Sequence, residues 1–158
     1  MTDHVIMDQP LGAFARSLFK RAQDYLYALH LMTIASPQPE FAAYFIFSHS
    51  LELLLKSYLA ATGVSQNEIE FDLVHDMPAI FKRCEALALP QVSGLEAYVL
   101  HTHEMNKDHD FRYPSICRTT MPKLADCLAI ARELEENLKP IVSAAAIKSQ
   151  NTPTRNGS

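Results

Sequence analysis

The sequence predicts an all-α protein, a single-domain, up-and-down bundle of four or five helices. Apolar residues recur at helical spacing in several long segments, and no segment has the period of two that marks a half-buried strand. The chain has 158 residues, of which 48% are hydrophobic and 20% charged, so it is long enough to bury one core. It has only four glycines and no glycine-rich phosphate loop, which argues against a P-loop or dinucleotide-binding fold.

Two long helices are expected first. Apolar residues from about Leu11 to Ile34 keep one helical face. The segment "SPQPE", 36–40, should break this helix, with Ser36 or Gln38 as the cap of the next. The second helix, about 41–62, is the most apolar part of the chain, and one broad face should form the centre of the core: Tyr44, Phe47, Leu51, Leu54, Leu55 and Tyr58.

A loop and two shorter helices are expected next. The polar segment 64–75 is predicted to be a loop, and Asp76 is the expected cap of a third helix at about 77–88. A fourth helix, about 91–107, should turn five side chains inward: Leu95, Tyr98, Val99, Thr102 and Met105.

The last helix is expected to follow a cap by Thr119 or Thr120. Two alternatives stay open at Pro140: the helix ends there, or it is kinked and the segment "IVSAAAIKSQ", 141–150, continues it. The tail rich in Asn, Thr and Gly should be disordered. The chain is therefore divided into three predicted parts: an N-terminal arm at 1–10, a helical domain at 11–148 and a disordered tail at 149–158.

Composition narrows the function classes. A net charge of −4 gives no global electrostatic reason to bind nucleic acid, although folding can still build a local basic patch. Cys84, Cys117 and Cys127 match no zinc or redox spacing and indicate reduced thiols of a cytoplasmic protein, with Cys84 and Cys127 in the core. No apolar stretch approaches the ~20 residues that span a bilayer. We expect no membrane association and no cofactor.

A polar stripe borders the core face of the second helix. His49, Glu52 and Lys56 lie within about 60° of arc, and Glu52 and Lys56 form an i, i+4 pair in the favourable order. Partial burial would require partners from elsewhere in the chain. The candidates are His75, Arg112 and Tyr113. Two interpretations stay open for this stripe: a structural polar network, and a ligand-binding or catalytic site.

The segment "HTHEMNKDHDFRYP", 101–114, concentrates ionisable side chains. His101 and His103 are two positions apart, so on a helix they point to roughly opposite sides and do not suit one metal ion. The segment does not match HExxH or paired zinc ligands, and we predict no metal site.

An acid–base role for this segment is the stronger alternative. Metal-free RNA cleavage needs a base, an acid and a cation at the phosphate. His109 or His103, together with Arg112 or Lys107, could supply them. The competing interpretation is the polar end of the fourth helix, followed by a turn in which Arg112 pairs with Glu52.

Three segments resemble the HEPN family, the higher eukaryotes and prokaryotes nucleotide-binding domains. They are "HSLELLLKSYLAATG" at 49–63, "HDMPAIFKRCEAL" at 75–87 and "FRYPS" at 111–115. The resemblance covers about residues 11–140. It implies a four-helix core with extra helical pieces and, commonly, a homodimer. Members of this family are either metal-independent ribonucleases or non-catalytic binding modules, some of them partners of small nucleotidyltransferases in defence or toxin–antitoxin systems.

The chain departs from the ribonuclease members of that family at their signature, an arginine followed after four to six residues by a histidine. After Arg112 those positions hold Cys117, Arg118 and Thr119, and no other arginine meets the rule. The sequence therefore favours a non-catalytic HEPN-like module that recognises a nucleotide, RNA or a partner protein. The alternative is a divergent ribonuclease that uses His103, His109 and Arg112.

Overall fold

The computed structural model describes residues 9–106 and 120–151, and all regular structure in these ranges is helical. Five α-helices occur there, with a short π-helical turn, Glu68–Leu73, between the second and the third. The helices are α1 (Leu11–Ile34), α2 (Glu40–Ala61), α3 (Met77–Ala86), α4 (Leu95–Asn106) and α5 (Leu124–Gln150). The predicted all-α bundle is confirmed. No helix in the described ranges is long and apolar enough to cross a membrane.

Helix α2 is the centre of the bundle and packs against α1, α5, α3 and α4. Every residue from 50 to 60 is buried, so this part of α2 has no solvent-facing side. The predicted core face is confirmed, because all six of its side chains are buried: Tyr44, Phe47, Leu51, Leu54, Leu55 and Tyr58. A helix buried on all sides must also bury its polar residues, and these then need partners inside the protein.

The two cysteines within the described residues lie in this core, as predicted. Cys84 is fully buried and its thiol donates to the Leu55 carbonyl at 3.5 Å. Burial raises the pKa of Cys84 strongly and raises the pKa of Cys127 to about 12. Both thiols are therefore protonated at neutral pH and are poor nucleophiles. Cys117 lies outside the described residues.

Helix starts differ from the sequence-based expectation. Neither Ser36 nor Gln38 caps α2, because Pro39 occupies the cap position and the Gln38 amide donates instead to the Thr33 carbonyl at 2.7 Å. Helix α5 begins after Lys123 without a side-chain cap, so the cap predicted at Thr120 is wrong; Thr119 lies outside the described residues. Packing of apolar faces stabilises these two helices without the predicted side-chain caps.

One segment is more helical than predicted, and one is less so. The predicted loop at 64–75 contains the π-helical turn. Helix α5 continues through Pro140 to Gln150, so the predicted end at Pro140 is wrong and the alternative of continuation is confirmed. Pro140 is exposed, so water can hydrate the carbonyl that the missing N–H leaves free. Helix α4 begins four residues later than the predicted position 91. The cap at Asp76 is confirmed, since its carboxylate accepts from the Ala79 amide at 3.1 Å. The division into arm, domain and tail stays a prediction.

Helices α1 and α5 approach each other closely at Gly12. A Cβ atom at this position would lie 2.1 Å from the Ala145 carbonyl oxygen and 2.0 Å from Ser149 Oγ. The serine side chain can rotate away, but the carbonyl belongs to the backbone of α5. Only glycine therefore allows this separation of the two helices.

Gly12→Ala is expected to lower the free energy of unfolding by about 1–2 kcal/mol, because the steric conflict exceeds the gain in helix propensity of about 1 kcal/mol. Urea denaturation measures this change. Adding Ser149→Ala should not restore stability, because the Ala145 carbonyl remains. A Gly12→Ala variant more stable than the parent protein would contradict the close approach.

Candidate functional site

A cavity of about 530 Å³ lies between α1, α2 and the π-helical turn. Its wall combines ionisable, aromatic and apolar side chains. The ionisable and aromatic residues are Arg21, Asp24, Tyr25, His49, Glu52, Lys56, Glu70 and His75, and the apolar residues are Phe14, Leu18, Leu53 and Ile69. The predicted polar stripe of α2 therefore faces a space large enough for a small ligand.

Glu52 and Lys56 form a buried ion pair in this wall. Each residue is only 8% exposed, and Lys56 Nζ donates to Glu52 Oε1 at 2.7 Å. Lys56 Nζ also donates to the backbone carbonyl of Val74, just after the π-helical turn. Val74 has a φ of 46°, which is uncommon for a β-branched residue. Lys56 therefore fixes the backbone at Val74, directly before His75 of the cavity wall.

His75 is the second partner of the buried carboxylate. Its Nδ1 lies 2.7 Å from Glu52 Oε1, and because an ionised carboxylate only accepts, Nδ1 is the donor. The rest of the His75 side chain is largely exposed to solvent. The next residue, Asp76, caps α3. Glu52 therefore connects α2 to the segment between the π-helical turn and α3.

His49 provides an aromatic surface beside this cluster. The Tyr25 ring meets it edge-on with a centroid distance of 4.8 Å, and the Phe45 ring lies nearly parallel to it at 6.3 Å. Burial lowers the pKa of His49; the Glu52 charge opposes this effect, while His75 and Lys56 add to it. The imidazole is therefore neutral at pH 7 and can both donate and accept a hydrogen bond.

The charges around the cavity favour an uncharged polar group of a ligand over a phosphate group. From the described part of the chain, the wall has three carboxylates, on Asp24, Glu52 and Glu70, and two permanent cations, on Arg21 and Lys56. Lys56 is already engaged by Glu52 and the Val74 carbonyl. Arg21 makes no hydrogen bond or ion pair with any part of the chain that the structure describes. Of the two permanent cations that the described residues contribute to the wall, Arg21 is therefore the one available to a ligand.

The structure brings four of the predicted site residues together: His49, Glu52, Lys56 and His75. Arg112, Tyr113 and His109 lie outside the described residues, so the predicted pairing of Arg112 with Glu52 stays a prediction. His103 lies on α4 and does not line this cavity.

Several wall residues were not predicted from the sequence. Arg21, Asp24 and Tyr25 are spaced i, i+3 and i+4 on α1, and Glu70 lies on the π-helical turn. The helical spacing of the first three was a signal that they share one side of α1. It could not show that this side faces the polar stripe of α2.

Among residues 9–106 and 120–151, no group of three or more His, Cys, Asp or Glu side chains is arranged to hold a metal ion. Comparison of the chain with protein-family models, curated proteins and solved structures finds no match.

Glu52→Ala is expected to lower the free energy of unfolding by about 3 kcal/mol, because it leaves the buried Lys56 ammonium without its counter-ion. Replacing both residues together, as Glu52→Leu with Lys56→Met, should restore stability to within about 1 kcal/mol, since no buried charge then remains. Chemical denaturation of the single and double variants measures both effects.

The chain contains a matched control for this pair. Lys20 and Asp24 have the same i, i+4 spacing at 3.1 Å, but both side chains are exposed. Lys20→Ala should change stability by less than about 0.5 kcal/mol. Equal effects of Glu52→Ala and Lys20→Ala would contradict the buried pair.

Lowering the pH below about 6.5 is expected to destabilise the protein in part through His49. The unfolded state then binds a proton at His49 that the folded state excludes, because the folded pKa is lowered. His49→Gln should therefore flatten the fall in unfolding free energy between about pH 6.5 and 5. Parallel curves for wild type and His49→Gln would contradict this assignment.

Proposed function

We propose that the protein is a non-catalytic, HEPN-like binding module of the cytoplasm whose cavity recognises the nucleoside part of a nucleotide. One observation carries the proposal: a buried carboxylate, held by Lys56 and His75, lies in the same cavity wall as the paired rings of Tyr25 and His49. Fixed polar groups beside aromatic and apolar surface are typical of small-molecule sites.

The cavity suits a nucleoside in size and chemistry. Its volume of about 530 Å³ lies within the ordinary range of ligand sites. Carboxylates such as Glu70 can accept bonds from base amino groups and sugar hydroxyls, while neutral His49 can donate or accept. Phe14, Leu18 and Leu53 offer apolar contact for the flat faces of a base.

Binding is favoured over catalysis because the central groups hold one another. Lys56 is charged and engaged by two acceptors, and Glu52 Oε1 accepts from two donors. A group in that position stabilises a fixed geometry and has little capacity to exchange protons with a substrate. The missing arginine–histidine signature agrees with this proposal.

The alternative of a divergent ribonuclease has no specific observation in its favour. Of its three residues, only His103 lies within the described ranges, and it is on α4, away from the cavity wall. RNA cleavage in the presence of EDTA that His109→Ala and Arg112→Ala abolish without unfolding the protein would favour that alternative.

Self-association is part of the proposal, since the family resemblance implies a homodimer. Three exposed apolar side chains follow one side of α1 near its end, and a fourth begins α2: Tyr27, Leu31, Ile34 and Phe41. These side chains are a candidate surface for a second copy of the chain or for a partner protein such as a small nucleotidyltransferase.

Isothermal titration calorimetry with the four common nucleosides and their 5′-monophosphates tests the cavity. We expect at least one nucleoside to bind and His75→Gln or His49→Gln to weaken it about tenfold, corresponding to about 1.4 kcal/mol. Glu85→Gln, on the exposed side of α3, is the control and should bind as the parent protein does. No binding at millimolar nucleoside, or equal binding by all variants, would overturn the proposal.

A further inference from the structure

A second concave surface lies beside the cavity, between the first half of α1 and the end of α5. It encloses about 690 Å³. Its polar lining consists of Arg16, Ser17, Lys20, Arg21, Ser149 and Gln150. We call this surface the basic groove, because three of these residues are cations and no acidic residue is found among those that line it in the described ranges.

The three cations of the groove all come from one helix, α1, and are spread over about 140° of its circumference. Arg16, Lys20 and Arg21 are at positions i, i+4 and i+5 of α1, so they extend over about 7.5 Å along the helix axis. That length corresponds to about two steps of a stacked nucleotide strand, at about 3.4 Å per step. The chain as a whole carries a net charge of −4, so the positive charge of the groove is opposite in sign to that of the whole chain.

These cations are available to a ligand. Arg16 and Arg21 make no hydrogen bond or ion pair with the rest of the described chain. Lys20 pairs with Asp24, but both side chains are about 70% exposed, at 69% and 71%, so the pair is weak and a ligand phosphate can compete for the lysine. Ser17 adds a hydroxyl donor on the α1 side of the groove, and the Ser149 hydroxyl, which donates to the Ala145 carbonyl at 3.1 Å, offers an acceptor oxygen on the α5 side.

Arg21 lines both the groove and the polar cavity. Among the described residues, the cavity wall has more carboxylates than permanent cations, which disfavours phosphates there, whereas the charged residues that line the groove are all cations. A ligand with an uncharged polar end and a charged chain would therefore place the first in the cavity and the second along the groove. The guanidinium of Arg21 would bind the phosphate at the junction.

We propose that the basic groove binds consecutive phosphates of the ligand whose nucleoside part occupies the cavity. That a single ligand occupies both the cavity and the groove rests on the proposed function. The affinity of the groove for phosphates does not. Two sources supply this chemistry, a short single-stranded oligonucleotide and a nucleoside oligophosphate. The order of affinities for the two distinguishes them.

The test compares four probes: a nucleoside, its 5′-triphosphate, a single-stranded trinucleotide with a 5′-phosphate, and inorganic tripolyphosphate. Binding is measured to the parent protein and to Arg16→Gln/Lys20→Gln, which leaves the shared Arg21 intact. Lys82→Gln/Lys139→Gln removes the same charge from exposed positions outside the groove and is the matched control. Thermal melts verify that all three proteins are folded.

We expect the groove variant to bind the three phosphorylated probes about tenfold or more weakly and to keep nucleoside binding. For the trinucleotide, the slope of log K against log salt should decrease in magnitude by about 1.4, from about 0.7 for each lost contact. In one outcome, the groove variant loses tripolyphosphate binding and no protein binds nucleoside. That result would support phosphate binding by the groove and reject the cavity proposal. Equal losses in the groove and control variants would overturn the groove.

Discussion

The arrangement of the cavity depends on the burial of one carboxylate. Glu52 lies on a stretch of α2 that is buried on every side, so its charge cannot be hydrated and must be met by donors from the protein. Lys56 supplies one donor from the next turn of the same helix, and His75 supplies another from a distant part of the chain. Lys56 also donates to the Val74 carbonyl. The hydrogen bonds that satisfy the Glu52 carboxylate therefore also fix the segment between the π-helical turn and α3.

Together with that segment and α1, the polar cluster of Glu52, Lys56 and His75 forms part of the wall of a cavity. If only stability were selected, an apolar pair of similar volume would serve α2 as well as Glu52 and Lys56. The position of the buried pair beside the Tyr25 and His49 rings supports a role as fixed polar groups of a binding site. Next to the cavity, α1 contributes Arg16, Lys20 and Arg21 to the basic groove, so the described linings of the two surfaces differ in the sign of their charge. This difference supports a ligand with a polar head and a phosphate chain.

Much of the fold was accessible from sequence because apolar periodicity is a direct consequence of burial. The limits of α1 and the core face of α2 follow from it, and the carboxylate of Asp76 marks the start of α3 by ordinary capping chemistry. Three features were not accessible. The π-helical turn is too short, at six residues, to show a period, and the starts of α2 and α5 carry no capping side chain. Pro140 is tolerated because it faces solvent.

The site was predictable only in part, for a related reason. His49, Glu52 and Lys56 stand out because polar residues are unexpected beside the core face of an apolar helix. Arg21 and Asp24 lie on an exposed side of α1, where charged residues need no explanation, and only the packing of α1 on α2 gives them a common cavity with the polar stripe. The basic groove depends in the same way on the close approach of α5 to α1 at Gly12.

The most direct test of this account is a side-chain nitrogen NMR spectrum of the protein with labelled histidine, recorded with and without nucleoside 5′-monophosphates. The account predicts that the ring resonances of His49 and His75 shift on addition of the ligand, while those of His30 and His103, outside the cavity wall, do not. Unchanged His49 and His75 resonances at saturating nucleotide, or equal shifts at His30 and His103, would contradict a binding site organised around Glu52.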